Sequence, residues 1–280
     1  MPELPDLLYI QAKLREALVG RHVVAERVTS PVVLRFTVRG NLSLVLGHML
    51  TDVGRHGHFL AFRFGGLDLA VNPMLAGRFR MAETGSPDEA ALAFALSFDG
   101  TAPNELRYLD DKSMGKAYLM ATDDWSAVPG LKAGGLDVLS PEFSKERFVS
   151  ALKHRRDQVR VFLMDKRALD SIGNAYADEI LFEAGLHPKT LCSRLSHDEA
   201  IRLHGAIVDV LREAVDEVAR RAQPIDVKVR DFLKVRRREV CPRCGGKIRI
   251  AGVRSADSWF CPICQPARRA GLVDWTRTPR

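Results

Sequence analysis

The first twenty positions carry hydrophobic residues at nearly helical spacing. The apolar positions are Leu7, Leu8, Ile10, Leu14, Ala17 and Leu18. Residues three and four apart lie on one face of an α-helix, so the pattern predicts an amphipathic helix with one buried face. Gly20 stands where a helix commonly ends. We therefore predict an α-helix from about Asp6 to Val19.

Between Val23 and about Met120 the pattern changes to short runs of β-branched and aromatic residues. Glycine-rich or polar stretches separate the runs, which is typical of strands joined by turns. Gly65-Gly66 joins two of the runs and predicts a hairpin. The runs are 32–36, 42–46, 59–64, 67–71, 93–98 and 117–120. Short strands without intervening helices predict an antiparallel sandwich or barrel.

Helical spacing returns after a stretch rich in glycine and proline. Pro129 to Pro141 contains three glycines, and we interpret it as an interdomain linker. Pro224 ends the helical part that follows. The predicted helices are 144–152 with Ser144 as N-cap, 157–164, 174–184 ended by Gly185, and a long helix that begins at the capping box Ser196-x-x-Glu199.

Two cysteine pairs form the strongest single motif. Cys241-x-x-Cys244 and Cys261-x-x-Cys264 are separated by sixteen residues. Each pair can offer two thiolates to one metal ion, and four thiolates complete a tetrahedral structural zinc site without an open position for catalysis. The motif predicts one structural Zn²⁺ that stabilises a small hairpin. Cys192 is expected to be a buried apolar residue.

These patterns together predict an α+β protein of three domains. The first, 1–130, is an N-terminal helix with an antiparallel β-sandwich. The second, 131–225, is helical, and the third, 226–270, is a zinc-finger hairpin.

The charge of the chain favours a partner rich in phosphate. Lysine and arginine number 42 against 35 acidic residues, which gives a formal net charge of +7. The excess is concentrated between Lys228 and Arg254, where ten basic residues stand against Asp231 and Glu239. A dense basic run beside a metal motif favours nucleic acid, with a solvated charged face as the alternative.

The sequence also predicts where the protein resides. It contains no apolar run of the length that a membrane span needs. Its first residues lack the basic and apolar regions of a signal peptide. We therefore expect a cytosolic protein, in which cysteines bind metal more often than they form disulfides.

The first six residues carry potential chemistry. Removal of Met1 would make Pro2 the N-terminus, and its ring nitrogen would then be a secondary amine and a potential nucleophile. The adjacent Glu3 offers a carboxylate for proton transfer. The alternative is that Pro2 only begins the chain and that Glu3 and Asp6 are solvated.

A second candidate site lies where Gly173-Asn174 opens a predicted helix. Backbone N–H groups at a helix N-terminus point outward and bind phosphate, aided by the helix dipole. An ordinary helix cap is the alternative, and the spacing alone does not separate the two.

The motifs occur in an order that resembles one family across essentially the whole chain. Pro2-Glu3-Leu4-Pro5, Ile172-Gly173-Asn174-x-Tyr176-Ala177-Asp178-Glu179, His187-Pro188 and the C-terminal CPRC…CPIC-Gln closely resemble the formamidopyrimidine-DNA glycosylase and endonuclease VIII family. The resemblance implies an N-terminal β-sandwich, a helix–two-turns–helix domain and a zinc hairpin. It also implies excision of oxidised bases from DNA, followed by backbone cleavage through β,δ-elimination.

The resemblance assigns roles to residues of this chain. Pro2 would attack C1′ of a flipped-out nucleotide and Glu3 would move protons, with His58 as the third catalytic candidate. Asn174 would hold a backbone phosphate, and the basic zinc hairpin would reach into the minor groove. The residues expected to contact DNA are Leu75, Lys112, Met114, Arg160, Asn174 and Arg254.

Several of these positions depart from the family pattern. Asp6 replaces a glutamate, His58 replaces a phosphate-binding lysine, and Ala256 replaces an arginine of the zinc hairpin. Leu75 and Met114 remain apolar wedges that could intercalate. Lys112 replaces an arginine, so it offers a point charge instead of a planar fork and should pair less selectively with a base.

The sequence therefore predicts a bifunctional DNA glycosylase and AP lyase of base excision repair that forms a Schiff base through Pro2. Its partner would be double-stranded DNA with damaged bases or abasic sites, and we expect a monomer in the bacterial cytosol or nucleoid. One alternative is a DNA-binding paralogue that recognises damage but excises poorly. Another is a zinc-ribbon RNA-binding protein, which would leave the Pro2-Glu3 start unexplained.

Overall fold

The computed structural model describes residues 1–129, 135–254 and 256–267, and the backbone of 276–277. The chain divides into two compact units. The N-terminal unit comprises Met1–Ala133 with Val218–Lys228, and the C-terminal unit comprises Gly134–Glu217 with Val229–Arg280. Among the helices of the described ranges, none is long and apolar enough to cross a membrane.

The N-terminal unit consists of one helix and two β-sheets. Helix α1 is Leu4–Leu18, and the strands are β1 (Val23–Val28), β2 (Leu34–Phe36), β3 (Asp52–His56), β4 (Phe59–Phe64), β5 (Leu67–Asn72), β6 (Arg78–Ala82), β7 (Leu92–Phe98), β8 (Glu105–Leu109) and β9 (Lys116–Ala121). The sheet orders are β1-β7-β8-β6 and β2-β9-β5-β4-β3. The pairs are antiparallel except β2–β9, which is parallel.

The two sheets and α1 bury their apolar faces in a shared core. Fully or almost fully buried members include Leu7, Leu14, Phe62, Leu69, Phe94 and Tyr108. Burial of a leucine or phenylalanine side chain contributes about 1.5–3 kcal/mol. The predicted β-sandwich with an N-terminal helix is therefore confirmed, and the parallel pair is the one departure from antiparallel order.

Two local predictions in this unit were wrong. Residues Leu42–Val45 form a 3₁₀ helix instead of a strand, because the Asn41 side chain accepts the Ser43 N–H at 2.9 Å and starts the turn. The same turn buries both Leu42 and Val45 in the core. The predicted run 32–36 is likewise divided, with a 3₁₀ turn at 31–33 before β2. The Gly65-Gly66 hairpin is confirmed, and both glycines have positive φ.

The C-terminal unit contains α2 (Lys145–Lys153), α3 (Val159–Leu163), α4 (Asn174–Glu183), α5 (His197–Arg221) and the sheet β11-β10-β12. Its strands are β10 (Arg249–Val253), β11 (Ala256–Phe260) and β12 (Thr276–Arg277). The last four residues of α5 belong to the N-terminal unit. Ser144 caps α2, and the capping box of Ser196 and Glu199 at α5 is confirmed.

Two predicted boundaries shift in this unit. Of the predicted linker 129–141, residues 130–134 lie outside the described residues, and the part from Gly135 onward is hydrogen-bonded within the C-terminal unit. The N–H of Gly135 donates to the Lys166 carbonyl at 3.0 Å, and Leu136 pairs with Leu169. Helix α3 is shorter than the predicted 157–164, because the Asp157 carbonyl accepts from Cys192 in an extended pairing.

Candidate functional site

The first turn of α1 fixes two carboxylates. Helix α1 begins at Leu4, two residues earlier than predicted, with Glu3 as its N-cap. The N–H of Glu3 donates to Asp6 Oδ2 at 2.8 Å, and the Glu3 side chain accepts from the backbone N–H of Asp6. Both side chains are buried, which contradicts the alternative interpretation that Glu3 and Asp6 are solvated. This reciprocal capping box holds Glu3 in one orientation beside Pro2.

Pro2 lies in a small cavity of the N-terminal unit. The residues that line it are Pro2, Asp6, Tyr9, Ile10, Gly77, Arg78, Val218, Ile225, Asp226, Val227 and Lys228. Burial and the nearby charge of Lys228 lower the pKa of the Met1 terminal amine to about 6, and Glu3 and Asp6 oppose that shift. With a pKa of about 6, the terminal amine of the chain that retains Met1 is mostly neutral at neutral pH.

Leu75 lies at the tip of a tight loop between β5 and β6. The Asn72 side chain accepts the N–H of Met74 at 3.0 Å, and the N–H of Gly77 donates to the Pro73 carbonyl at 2.8 Å. The Met1 terminal amine donates to the Leu75 carbonyl at 3.4 Å. The Leu75 side chain is 57% exposed. The loop thus presents an apolar side chain to solvent close to the N-terminus.

Lys112 and Met114 lie in the loop between β8 and β9. The buried Asp110 carboxylate organises this loop, since it accepts the N–H of Gly115 at 2.6 Å and the N–H of Lys112 at 3.2 Å. Met114 is 40% exposed, and Lys112 is exposed as well. A second apolar side chain is therefore held at the surface by a rigid loop.

The hydroxyl of Tyr108 constrains both loops. A Cβ at Gly77 would lie 2.1 Å from this oxygen, and a Cβ at Gly115 would lie 1.9 Å from it. Burial raises the pKa of the Tyr108 phenol, which keeps it neutral. The loops that carry Leu75 and Met114 therefore pack against the same Tyr108 hydroxyl oxygen, and only glycine fits at either contact.

His58 is buried in the turn between β3 and β4. Gly57 has a φ of +58°, and the Arg55 guanidinium donates to the Gly57 carbonyl at 2.9 Å. The His58 side chain is 5% exposed. The structure thus places this catalytic candidate inside the turn instead of at the surface, where a phosphate contact would require it. Its catalytic role stays a prediction.

Asn174 occupies the first position of α4 in the C-terminal unit, with Gly173 as the N-cap. Arg160 Nη2 donates to Asn174 Oδ1 at 2.8 Å and to the Asp257 carbonyl at 3.1 Å. Since the oxygen of the Asn174 amide accepts from Arg160, its NH₂ group is the part left to donate to a ligand. Arg160 itself is 2% exposed, so its guanidinium contributes to the position of Asn174 from beneath.

A buried ionic network that the sequence analysis missed supports this arrangement. Asp178 accepts from Arg160 Nε at 3.1 Å and from Ser258 Oγ at 2.7 Å, and it pairs with Arg236. Glu179 accepts the backbone N–H groups of residues 234, 235 and 236. Two adjacent buried acids in an otherwise apolar helix were the signal in the sequence, because buried carboxylates need paired donors.

The four cysteines form one compact cluster. Their sulfur atoms all lie within 4.8 Å of one another, with Cys241–Cys264 at 3.8 Å and Cys244–Cys261 at 3.5 Å. A tetrahedral site with Zn–S bonds of about 2.3 Å separates its sulfurs by about 3.8 Å, so the cluster fits one structural Zn²⁺. The N–H of Gly246 lowers the pKa of the Cys244 thiol to about 7, which favours the thiolate.

The remaining candidate, Arg254, lies at the turn between β10 and β11. Its backbone has a φ of +43°, and its side chain is 71% exposed. Arg254 Nη2 lies 3.4 Å from Asp157 Oδ1. Arg254, Arg160 and Ala256 line one open groove of the C-terminal unit. The structure therefore brings Arg160 into the vicinity of both Asn174 and Arg254.

Comparisons with family models match most of the chain. The formamidopyrimidine-DNA glycosylase N-terminal domain matches residues 1–117, and the formamidopyrimidine-DNA glycosylase H2TH domain matches residues 135–223. The formamidopyrimidine-DNA glycosylase of Salinispora arenicola is 32% identical over 286 residues, which cover 97% of this chain and 99% of that protein.

Solved structures give the same result. The MutM (Fpg) protein of Thermus thermophilus is 30% identical, with a TM-score of 0.82 over 94% of this chain and 98% of that one. The Lactococcus lactis Fpg (MutM), solved in complex with DNA that contains an oxidised pyrimidine, is 26% identical. Its TM-score is 0.85 over 95% of this chain and 100% of that one.

Proposed function

The chain belongs to the formamidopyrimidine-DNA glycosylase family, and we propose that it is a DNA glycosylase with AP lyase activity on damaged or abasic DNA. The observation that carries the proposal is the start of α1. Pro2 lines a cavity together with Lys228, the pKa of the adjacent Met1 amine is lowered to about 6, and a capping box fixes Glu3 beside Pro2. A protein that only binds DNA needs none of these features.

The chemistry begins once Met1 is removed. The lone pair of the Pro2 nitrogen attacks C1′ of the target nucleotide, the N–C1′ bond forms, and the bond from C1′ to the damaged base breaks. Glu3 moves protons while the sugar ring opens to the iminium. Loss of the C2′ proton and of the 3′ phosphate then cleaves the strand, and water hydrolyses the iminium to release Pro2. On abasic DNA the base has already left, so the Pro2 nitrogen adds to the C1′ aldehyde, water leaves to give the iminium, and the same elimination follows.

Leu75 and Met114 support the base-flipping part of the proposal. A nucleotide in a duplex hides C1′, so it must leave the stack before Pro2 can attack. Exposed apolar side chains on rigid loops act as wedges between base steps. Lys112 lies in the same loop as Met114 and would contact the base left without a partner.

The C-terminal unit supports DNA binding. The NH₂ group of Asn174 and the exposed guanidinium of Arg254 are donors suited to phosphate oxygens, and α4 directs its N-terminal dipole outward at Asn174. Arg160 contributes by fixing the Asn174 amide. The zinc ion would be held by Cys241, Cys244, Cys261 and Cys264 and would supply stability alone, since four thiolates leave no open position.

The second candidate is a DNA-binding paralogue that excises poorly. The burial of His58 favours it, because the turn places no side-chain cation at the surface at this position. The two candidates differ in turnover. A single-turnover assay on duplexes with oxidised bases or an abasic site should show base release and strand cleavage if the first proposal holds. Tight binding to all of these duplexes without cleavage would favour the second.

We further propose that the chain acts as three parts, 1–130, 131–225 and 226–270, in the order of sandwich, helical domain and zinc hairpin. The hairpin part is defined by the four-cysteine cluster, which packs with Val235 and Ile248 and with Phe182 of α4. A monomer in the bacterial cytosol or nucleoid is the proposed setting, since the relatives described above are bacterial.

A further inference from the structure

We propose that Lys228 holds the amine of Pro2 in its neutral, nucleophilic form. The inference rests on the proposed function, because it concerns the same nucleophile. Lys228 belongs to none of the motifs by which the sequence was assigned to its family. It lies at the end of the short segment that follows α5, and it lines the same cavity as Pro2.

Contacts with the N-terminal unit fix the position of the segment that contains Lys228. Tyr9 of α1 donates its hydroxyl to the Gln223 carbonyl at 2.7 Å. The side chain of Ile225 packs against the core of the N-terminal unit. Arg80 Nε donates to Asp226 Oδ2 at 2.9 Å. These three contacts, at Gln223, Ile225 and Asp226, tie the segment to the sandwich.

The ion pair between Arg80 and Asp226 belongs to a larger ionic network. Arg80 also pairs with Glu89 at 2.9 Å, and Glu89 pairs with the buried Arg107 at 2.8 Å. Arg107 donates to Glu105 at 2.7 Å on the same sheet. A connected ionic network on β6 and β8 thus fixes the residue two positions before Lys228. Such a network leaves little freedom at its members.

The charged and titratable groups that line the cavity come from three elements. They are Asp6 and Tyr9 of α1, Arg78 of β6, and Asp226 and Lys228 of the segment after α5, and the Glu3 carboxylate acts on the terminal amine without lining the cavity. Arg78 pairs with Asp111, and Asp226 pairs with Arg80. Their charges are therefore already matched. Lys228 is the cation that acts most strongly on the terminal amine, and the carboxylates of Glu3 and Asp6 oppose it.

The terminal amine and the Lys228 amine lie close enough to interact electrostatically. Two ammonium groups repel each other, and they cannot share a hydrogen bond because neither has a lone pair to accept it. Their repulsion favours the loss of one proton. A lysine ammonium ordinarily titrates about two units above an α-amine, so the terminal amine gives up its proton first. Burial and Lys228 together lower the pKa of that amine to about 6 in the chain that retains Met1.

Removal of Met1 leaves the Pro2 nitrogen in the same cavity with the same cation. A free proline amine in water is protonated at neutral pH and is then unable to attack carbon. The charge of Lys228 disfavours that protonated form. Lys228 thus acts on the substrate only through the amine, because its charge lowers the pKa of the amine without contact with the DNA.

The test measures the titration of Pro2 with and without DNA. The variants are Lys228→Met, which keeps the length of the side chain without its charge, and Lys228→Arg, which keeps the charge. Lys13→Met is the matched control, because Lys13 is an exposed lysine of α1 that pairs with Glu16. Lys228 is exposed, so its truncation removes no core contact. The first readout is the rate at which an amine-reactive acylating reagent modifies Pro2, followed by mass spectrometry between pH 5 and pH 9.

The midpoint of acylation should rise by about one pH unit in Lys228→Met, the usual size of one like-charge effect. Its rate near pH 5 should then fall about tenfold, while its rate at pH 9 matches the wild type. Lys228→Arg and Lys13→Met should keep the wild-type midpoint. High salt should raise the midpoint of the wild type, because it screens an exposed charge, and should not move that of Lys228→Met. An unchanged midpoint in Lys228→Met would overturn the inference.

The second readout is cyanoborohydride trapping on abasic DNA over the same pH range. The trapping profile should follow the acylation profile in each variant. A wild-type protein whose Pro2 is acylated normally, but which gives no DNA adduct at any pH, would refute the proposed function and leave the acylation test of Lys228 valid. If the wild type is trapped and its pH profile of trapping coincides with that of Lys228→Met, the role of Lys228 is refuted and the proposed function is retained.

Discussion

Gly115 leaves room for the hydroxyl of Tyr108, since a Cβ at this position would lie 1.9 Å from that oxygen. The same oxygen would lie 2.1 Å from a Cβ at Gly77. Two loops that are 38 positions apart in the chain therefore depend on one buried phenol. This relationship fixes the two exposed apolar side chains, Leu75 and Met114, on which the proposed flipping of a nucleotide depends.

Gly115→Ala should therefore lower the free energy of unfolding by about 1–3 kcal/mol, the usual effect of an added methyl group in a tightly packed site. Urea denaturation measures this change. Gly205→Ala is the matched control, because Gly205 lies in α5 with open space at its Cβ, and alanine there should stabilise by about 0.5–1 kcal/mol. Tyr108→Phe combined with Gly115→Ala should recover part of the loss. No recovery in the double variant would show that the hydroxyl is not the obstacle.

Asn174→Ala should weaken binding to abasic-site DNA by about 1–3 kcal/mol, the usual effect of leaving a charged hydrogen-bonding partner without its donor. Fluorescence anisotropy at fixed salt measures the affinity. Asn104→Ala is a suitable control, since Asn104 lies in the N-terminal unit and donates to the Phe98 carbonyl. Equal affinity of Asn174→Ala and the wild type would mean that this residue only begins a helix.

Cys244→Ser or Cys261→Ser should release zinc, loosen the hairpin and weaken DNA binding. The reason is that three thiolates bind a structural zinc ion less tightly than four, and few buried apolar residues besides the cysteines hold the hairpin. Metal analysis by mass spectrometry gives the zinc content. Cys192→Ser should retain the metal, because burial raises the pKa of that thiol to about 11 and it lies outside the cluster. Carefully purified wild-type protein without zinc would contradict the account.

The sequence predicted the sandwich, the helical caps and the cysteine cluster because each depends on local spacing. Periodicity identified α1, and the Ser196-x-x-Glu199 motif identified the start of α5. It could not predict the 3₁₀ turn at Leu42–Val45, where one Asn41 hydrogen bond overrides the apolar composition. The sequence also did not predict the burial of His58, because burial in a turn depends on the packing of distant residues.

The role of Lys228 could not be predicted for a different reason. It lies more than two hundred positions from Pro2 in the sequence, and only the fold brings it to the same cavity. The network of Asp178, Arg160 and Arg236 is similar, since its members come from α3, α4 and the segment before the first cysteine pair. Adjacent acids in an apolar helix indicate such a network, but its partners emerge only in three dimensions.

Lys112→Arg should increase the discrimination of the base opposite the lesion, because a guanidinium offers a planar fork where an ammonium offers a point charge. Lys112→Ala should reduce what discrimination the wild type has. Single-turnover rates on duplexes that differ only in the opposite base measure the ratio. Lys116→Ala, a change at another exposed lysine close in the chain, serves as the control. Identical ratios in Lys112→Ala and the wild type would show that Lys112 does not contact that base.

The central claim is that the amine of Pro2 forms a covalent intermediate with DNA, and borohydride trapping on abasic-site DNA tests it most directly. The adduct should form above the lowered pKa of the amine, so trapping should rise from pH 5 to pH 7 and then level off. Peptide mass spectrometry should place the DNA fragment on Pro2. Glu3→Gln should impair excision of a damaged base more than trapping on abasic DNA, and a form that retains Met1 should give no adduct. A correctly processed protein that binds abasic DNA without any trapped adduct on Pro2 would contradict the account.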